Sequence, residues 1–479
     1  MSSDPLTKLL ATTAFAWRRE PTAPVPLTDI QWRADACRPG SILFCQRLDD
    51  GRDDAEIYRR YLADSAFSVL VSNRMLDCFE ALSGKGIFVT HPDDWLRVVG
   101  HFCDLLYPLP EIAGGFVGVT GTNGKTTTVK YLESMLRAYD QRILTVGTLG
   151  VLLDGEPAAQ TGFTSPPLIE LRRLLHTYRD RYDVVTMEVT SHALDQGRLY
   201  GIPLRNAGWT NFSRDHLDYH GNEIAYFGAK TRILDLIQDG GRLFCTSPEV
   251  TSRLLERGTL PVPVQSLNAA TLGPEVIAAK PFLALAHNRE NYALATALAD
   301  TLLDPGERPY WRHLGTVDGR FECRIVGNRT LIVDFAHTPA ALESLLTAIR
   351  HAFPNAGVLT LFGCGGNRDR GKRSLMGAAA ARHSDHVILT SDNPRTEDPE
   401  RIIADILTGM PATDREVVVE RPQAVARLFE LLAERPADEP WVGLIAGKGH
   451  ERYIDHDGHK TYYSDQDEVE RNLQRLGWV

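Results

Sequence analysis

Short apolar runs separated by amphipathic stretches recur along the 479-residue chain and predict alternating strands and helices. In the middle of the chain, runs at 116–120, 143–147, 183–187 and 242–245 alternate with helical patterns, as in a mostly parallel sheet covered on both faces. A second alternation follows. Its strands are expected at 331–335, 357–362, 386–390 and 441–446, and its helices at 339–352, 373–382, 400–408 and 422–433. That order is doubly wound, and such sheets take ligands at the carboxyl ends of their strands. Before residue 107 the apolar runs are short, Ser41–Cys45 and Phe67–Val71 among them, and read as a small α/β unit. Pro108 and Pro110 then break the pattern as a linker would. The expected organisation is therefore three α/β domains, over residues 1–107, 108–314 and 315–479.

Composition narrows the function. With 43% hydrophobic residues each domain can bury a core, and a net charge of −10 lacks the basic footprint that nucleic acid demands. Seven cysteines, at 37, 45, 78, 103, 245, 323 and 364, include no C-x-x-C pair, so neither a disulfide framework nor a zinc site is expected. No stretch approaches 18 uninterrupted apolar residues, and the first residues do not read as a signal peptide. The expectation is a cytoplasmic enzyme acting on small molecules, with no nucleic-acid or membrane partner.

The chemistry begins after the strand expected at 116–120, where Gly121-Thr122-Asn123-Gly124-Lys125-Thr126-Thr127-Thr128 leads into a helical pattern. A glycine turn between strand and helix lets backbone N–H groups converge on phosphate oxygens. Lys125 can reach the β- and γ-phosphates, and the Thr126 hydroxyl can ligate Mg²⁺. The spacing GxxGK[ST] is shorter than the common pattern, which would put a glycine at Val119. Glu188 ends the run Tyr182–Met187 and would stand at the sheet edge beside this loop, as a Mg²⁺ ligand or as a solvated strand-end acid. Residues Asn211–Gly221 pack an Asn, an Arg, two Asp and two His into eleven positions. Such density suits a second metal ligand and phosphate-orienting groups, although a polar loop with a capping Asp reads similarly.

Taken together and in order, GTNGKTTT, MEVTSHAL, TNFSRDHLDYHG, Asp334–Pro339, Gly363–Arg373, Asp392-Asn393-Pro394-Arg395 and Ala446–Glu451 span about 335 residues and resemble the Mur ligases. These are ATP-dependent amide-bond-forming enzymes of peptidoglycan synthesis, and the closest likeness is to members that add meso-diaminopimelate to UDP-N-acetylmuramoyl-L-alanyl-D-glutamate. The resemblance implies a small N-terminal domain for a UDP-sugar-like substrate, a central ATP-binding domain and a Rossmann-like C-terminal domain for the amino acid. It implies a carboxylate that attacks the γ-phosphate of ATP, an acyl phosphate, and an incoming amine that expels phosphate.

By motif, Thr126, Glu188, His216 and Lys230 would hold two Mg²⁺ ions, with Lys230 converted by CO₂ to a carbamate. Without the resemblance, Lys230 reads as a surface helical lysine. ATP would be bound by Gly121, Thr122, Asn123, Gly124, Lys125, Thr126 and Thr127, and by Asn288, Asn291, Arg320 and Asp334. Asn288 also reads as a helix cap and Arg320 as a surface ion pair. Thr164, Ser165, Thr190, Gln196 and Arg198 match residues facing the muramoyl-dipeptide. Diaminopimelate would meet Arg368, Asp392, Asn393, Arg395, Gly447 and Glu451, with Arg395 taking the distal carboxylate that lysine lacks. An Asn-Pro turn before a helix is the plainer reading of that segment.

The N-terminal domain departs from the family. Where the family has Asp-Ser-Arg, this chain has Gln31-Trp32-Arg33, and only Arg33 matches; Asp49–Arg52 keeps some likeness to a family Asp-Gly segment. Three readings stay open: the cell-wall ligase, acting as a monomer; a paralogue joining a diaminopimelate-like amine to another carboxylate; and a nucleotide-binding scaffold without catalysis.

Overall fold

The computed structural model describes residues 17–20, 27–46, 53–316, 319, 321–410 and 415–478. Three sheets follow one another along the chain. The first comprises β1 (Trp17–Arg19), β2 (Asp29–Gln31), β3 (Ser41–Cys45), β4 (Val69–Ser72) and β5 (Gly86–Val89), in the order β1-β5-β4-β3-β2. Only β1 runs antiparallel to its neighbour. Helix α1 (Trp95–Leu106) turns Trp95, Val98, Val99 and Phe102 onto this sheet.

The second sheet holds β6 (Gly115–Thr120), β7 (Ile143–Gly147), β8 (Gly150–Leu153), β9 (Glu156–Ala159), β10 (Val184–Glu188), β11 (Leu204–Trp209), β12 (Leu243–Cys245) and β13 (Val264–Ser266). Its order is β13-β12-β11-β6-β10-β7-β8-β9, parallel from β13 to β7 and antiparallel at the β7-β8-β9 edge. Strand β6 lies at the centre because Phe116, Val117 and Val119 can be buried on both of its faces. Helix α2 (Lys125–Arg137) leaves its carboxyl end, and α3 (Leu168–Thr177), α4 (Glu223–Thr231) and α5 (Ala286–Asp300) follow. The chain runs from β6 out to β7, returns to β10, and crosses to β11 on the other side. The phosphate-loop sequence thus sits where the strand order switches direction, the crevice in which open α/β sheets bind ligands.

The third sheet has β14 (Glu322–Val326), β15 (Arg329–Asp334), β16 (Gly357–Phe362), β17 (His386–Leu389), β18 (Arg415–Val417) and β19 (Trp441–Ala446), in the order β14-β15-β19-β16-β17-β18. All but β14 run parallel. Helices α6 (Pro339–Ala352), α7 (Gly371–His383), α8 (Pro399–Leu407) and α9 (Arg421–Glu434) cross over between strands. The hairpin β20 (Tyr453–His456) and β21 (His459–Tyr462) precedes α10 (Asp465–Arg475). Asp334, Gly363, Asp392 and Gly447 lie at or just beyond the carboxyl ends of β15, β16, β17 and β19, which brings four sequence motifs to one edge.

Strands expected from apolar runs are present within two residues of their expected ends. The strand expected at 183–187 occupies 184–188, so Glu188 is its last residue. The pattern missed β11, the immediate neighbour of β6, because Leu204-Arg-Asn-Ala-Gly-Trp209 contains no apolar run. Its polar members serve the opposite edge of the sheet: Arg205 donates to Ala113 O and Thr301 O at 2.9 and 3.1 Å, and Asn206 Nδ2 donates to Thr301 Oγ1 at 3.1 Å. Strands β8, β9 and β13 were missed as well.

A buried ion pair ties α9 and α10 to the working edge of the third sheet. Arg421 and Asp465, both inaccessible, bond at 2.9 and 2.8 Å, and Arg421 Nη2 also donates to Ala446 O at 3.0 Å. Removing one partner strands the other charge. Asp465→Ala is expected to destabilise the protein by about 3–5 kcal/mol, and the paired replacement Arg421→Met with Asp465→Leu by clearly less. Denaturant unfolding of both variants checks this; equal losses would show that the pair contributes packing rather than charge compensation.

Candidate active site

The loop after β6 turns sharply at Gly121 (φ +143°) and Gly124 (φ +83°). Neither position accepts a side chain, since a Cβ would stand 1.9 Å from Thr210 Oγ1 at the first and 2.4 Å from Asn291 Oδ1 at the second. Lys125 Nζ bonds back to Gly121 O at 3.0 Å and Thr122 O at 2.9 Å. Lys230, on α4, reaches the same Gly121 carbonyl at 2.8 Å. It is only 1% exposed, which excludes a surface helical lysine. Burial, then the nearby Lys125 charge, hold its ammonium well below the usual lysine range.

Glu188 is buried rather than solvated. Its Oε2 accepts from Thr126 Oγ1 at 2.9 Å and Thr148 Oγ1 at 3.0 Å, and its Oε1 accepts from Thr148 N at 2.8 Å. A hydroxyl and a carboxylate this close are hard oxygen donors that suit Mg²⁺. Among the described residues no group of three or more His, Cys, Asp or Glu forms a metal cage.

The segment 211–221 folds over the loop. Asn211 Oδ1 accepts from Asn123 N at 2.9 Å, and Ser213 O accepts from Thr122 Oγ1 at 3.2 Å. His216 sits in the left-handed region (φ +52°), which aims its ring at the His192 ring, 5.0 Å away. Burial, and after it the charges of His192, Lys125 and Lys230, drop the His216 pKa to about 3 against the pull of Asp215. His216 is therefore a neutral imidazole, the form that ligates metals. Burial would raise the Asp215 carboxyl, yet neighbouring cations, Lys372 at 3.8 Å among them, keep it ionised.

Beyond Glu188, Ser165 Oγ bonds Glu188 O at 2.8 Å and Thr190 Oγ1 at 3.3 Å, and Thr164 Oγ1 lies 3.2 Å from Thr148 Oγ1. Arg198 donates to Ser165 O at 2.6 Å and to Gln196 Oε1 at 2.8 and 3.0 Å. The five expected dipeptide-facing residues thus form one connected patch. Arg33 comes from the first sheet and is exposed, bonded to Asp35 at 2.6 Å. Burial pushes the Glu170 carboxyl up, and the charges of Arg173, Arg198 and Arg33 oppose that rise. An open groove of about 650 Å³ beside it is lined by Trp32, Arg33, Arg59, Arg60 and Tyr61.

On the other side of the loop a cleft of about 220 Å³ runs between the second and third sheets, lined by Asn123, Gly124, Thr127, His287, Asn288, Asn291 and Asp334. Its glycine-walled end and amide-rich flank fit a nucleotide with its phosphates on the loop. Asn288 is not a helix cap: it is inside α5, and its Nδ2 donates to Phe282 O at 2.9 Å. Arg320 and residues 49–52 lie outside the described residues.

At the edge of the third sheet, Arg395 adopts φ +52°, held by backbone bonds to Asp455 O and from Asp457 N, both 2.9 Å. Its Nη1 donates to Gly366 O at 2.7 Å, and it forms no ion pair among the described residues. Asn393 Nδ2 donates to Glu451 Oε2 at 2.8 Å. Gly447 (φ +114°) would place a Cβ 2.8 Å from Asp392 Oδ2. Arg368 is directed across the gap to Asp218, 3.8 Å away. Arg214 with Asp369 (2.9 and 3.2 Å) and Asp215 with Lys372 bridge the same two segments.

Matches to known proteins follow this geometry. Residues 119–267 match the Mur ligase middle domain, and residues 319–449 match the Mur ligase glutamate ligase domain. A relative from Synechococcus elongatus, named UDP-N-acetylmuramoyl-L-alanyl-D-glutamate–2,6-diaminopimelate ligase, is 36% identical over 92% of this chain and 93% of its own. The chain belongs to the Mur ligase family. A Pseudomonas putida relative of the same name is 35% identical over 99% of this chain and 98% of its own. Among solved structures, one titled as that same ligase covers 94% of this chain and 96% of its own at 25% identity, with a TM-score of 0.59. The Thermotoga maritima MurF ligase in complex with ADP shares the fold at 15% identity, with a TM-score of 0.57 over 95% of this chain and 98% of its own. As a Mur ligase the chain has the three-domain α/β fold expected of it and is an amide-forming enzyme, which removes the scaffold reading.

Several site residues escaped sequence reasoning. Thr148 carries no motif signal, and Asp215, Lys372 and Lys448 lay without assigned roles inside Asn211–Gly221, Gly363–Arg373 and Ala446–Glu451. Glu397, two residues after Arg395, is another. The Arg373 guanidinium beside it and the Asn367 N–H drop its pKa to about 2 against a usual 4.5. The folded state therefore binds this proton less well than the unfolded one, so its stabilisation is present above about pH 4.5 and is lost as pH falls towards about 2. Glu397→Gln is expected to lower stability at pH 7 and to flatten the acid limb of a Tm-against-pH curve. An unchanged limb would remove Glu397 as the brace of the Arg395 loop.

Proposed function

We propose that this Mur ligase adds meso-diaminopimelate to the D-glutamyl carboxylate of UDP-N-acetylmuramoyl-L-alanyl-D-glutamate, using ATP, in peptidoglycan precursor synthesis. The carrying observation is the apposition of two sites. A glycine loop with Lys125, Lys230, Thr126 and Glu188 faces an edge where Arg395, without an ion pair among the described residues, adjoins Asp392 and Glu451. The relatives' shared name supports the substrates.

In this reading Gly121, Thr122, Asn123, Gly124, Lys125, Thr126 and Thr127 hold the phosphates, while Asn288, Asn291, Asp334 and Arg320 complete the nucleotide site. Thr164, Ser165, Thr190, Gln196 and Arg198 orient the glutamyl carboxylate towards the γ-phosphorus. Attack there releases ADP and leaves an acyl phosphate, whose carbon the diaminopimelate amine attacks to expel phosphate. Thr126, Glu188, His216 and Lys230 would hold Mg²⁺, which when bound screens the charge between carboxylate and polyphosphate. In its free-amine form, which burial favours, Lys230 can add CO₂ and lose a proton, becoming an anionic carbamate fit to ligate a cation. Arg395 takes the distal carboxylate bidentately, and Asp392 or Glu451 takes the distal ammonium. We place the enzyme in the cytoplasm, as a monomer with domain boundaries near residues 107 and 314.

One observation favours a second reading, a ligase for another carboxylate. The Gln31-Trp32-Arg33 stretch replaces the family sequence, and Arg33 is already tied to Asp35. Phosphate release with ATP, Mg²⁺ and meso-diaminopimelate, read together with product mass, separates the two. Turnover is expected with the UDP-sugar dipeptide and not with free L-alanyl-D-glutamate; the reverse would establish the second reading.

Two variants test the roles. Lys230→Ala should lose activity by about a hundredfold or more, with partial rescue by a short carboxylic acid. Retained activity would end the carbamate assignment. Arg395→Ala should raise the diaminopimelate KM by roughly tenfold or more and leave the ATP KM within about twofold; matched changes in both would remove Arg395 from the amine site.

A further inference from the structure

Lys448 is the one residue of the amine-site edge that motif reasoning left without a role, and its surroundings are specific. The side chain is fully buried. Its Nζ donates to Asn393 Oδ1 at 3.0 Å and to Glu451 Oε2 at 3.4 Å, and stands 3.7 Å from Asp392 Oδ1. Burying an ammonium is expensive unless it is paired and fully bonded. This one is placed between the two carboxylates expected to receive the substrate ammonium.

We propose that Lys448 is a positioning residue that fixes the charge and the orientation of the amine-substrate pocket, and so sets its preference for a distal group bearing both an ammonium and a carboxylate. This role rests on the diaminopimelate reading above. Two features of the geometry carry it. First, Lys448 orients Asn393. With Oδ1 accepting from Lys448 Nζ and from Asp455 N at 2.9 Å, the Asn393 amide cannot flip, so its Nδ2 stays on Glu451. Glu451 Oε2 is thereby fixed between Asn393 Nδ2 and Lys448 Nζ.

Second, Lys448 sets the local charge. Asp392 and Glu451 contribute two negative charges and Lys448 one positive, while the adjoining Arg421 is already matched by Asp465. The remaining single negative charge suits one substrate ammonium. Arg395, bonded to Gly366 O and without an ion pair among the described residues, keeps one positive charge for one substrate carboxylate. A zwitterionic end satisfies both, whereas the bare ammonium of lysine leaves the Arg395 guanidinium uncompensated. Burial and Asp392 push the Glu451 carboxyl up, and Lys448 opposes that rise. Without Lys448 the pocket would carry two negative charges around an unanchored Asn393 and would favour a purely cationic end.

The test is substrate preference, measured in the full-length enzyme as the ratio of kcat/KM for meso-diaminopimelate to that for L-lysine. A ratio within one preparation is independent of the fraction of active protein. Lys448→Gln keeps a donor for Asn393 but removes the charge, and Lys448→Met removes both. The ratio is expected to fall roughly ten- to hundredfold in Lys448→Gln, with the diaminopimelate KM rising and the ATP KM unchanged, and at least as far in Lys448→Met. Lys448→Arg, which keeps the charge, should hold the ratio within about threefold of wild type. A ratio unchanged in either uncharged variant, or equal losses with both amines, overturns the role of Lys448 alone. Absence of diaminopimelate turnover in the wild type overturns the function and this role with it.

Discussion

Two lysines converge on one carbonyl oxygen, and much of the site follows from that crowding. Lys125 and Lys230 both donate to Gly121 O, at 3.0 and 2.8 Å, from helices that begin about a hundred residues apart in sequence. The glycine geometry makes this approachable, because the same peptide could carry no Cβ against Thr210. Burial first, and then the repulsion of a second ammonium so close, make Lys230 give up its proton more readily than a solvated lysine. The site thus places beside the Lys125 cation an amine whose charged form is disfavoured. Neutral His216 follows chiefly from its own burial, with the neighbouring lysines adding to it.

The carboxyl edges of the second and third sheets face each other across this centre, and ionic contacts join them beside an apolar cluster to which both sides contribute. Arg214 with Asp369, Asp218 with Arg368, and Asp215 with Lys372 connect the 211–221 segment to the turn entering α7. Asn123 Nδ2 adds a bond to Thr338 Oγ1, the cap of α6, at 3.3 Å. Arg214–Asp369 and Arg368–Asp218 are partly solvated, and such pairs are individually weak, whereas Asp215–Lys372 is buried. They can hold the two sheets in register around substrates and still release them, as a ligase requires when its intermediate must be shielded from water until the amine arrives.

Legibility in the sequence tracked how local the information was. Elements built on apolar runs, such as β6, β16 and β19, were readable because burial on both faces demands such runs. Strand β11 was not readable, since its polar residues are satisfied by Ala113 and Thr301, partners distant in sequence. Among site residues, Lys125 and Thr126 were fixed by the loop pattern alone. Glu188 and Lys230 were ambiguous one at a time, and their burial, which no local pattern encodes, removes the solvated readings. Arg421, Arg373 and Lys448 had every sequence mark of surface charges. Each is buried where a carboxylate from elsewhere in the chain meets it, Asp465, Glu397 and Asp392 respectively.

Cations differ across the boundary between framework and site in what holds them. Arg421 and Arg373 have their carboxylates in place and brace the third sheet and the Arg395 loop. Lys125 and Arg395 donate to backbone carbonyl oxygens, acceptors able to fix a direction. A cation aimed by a carbonyl is desolvated and oriented before any anion arrives, so little reorganisation is needed when a phosphate or a carboxylate displaces that contact. Arg395 shows the cost of such aiming most directly: a non-glycine residue held at φ +52° by two backbone bonds from β20 and its turn, in a conformation retained only where the surrounding structure enforces it.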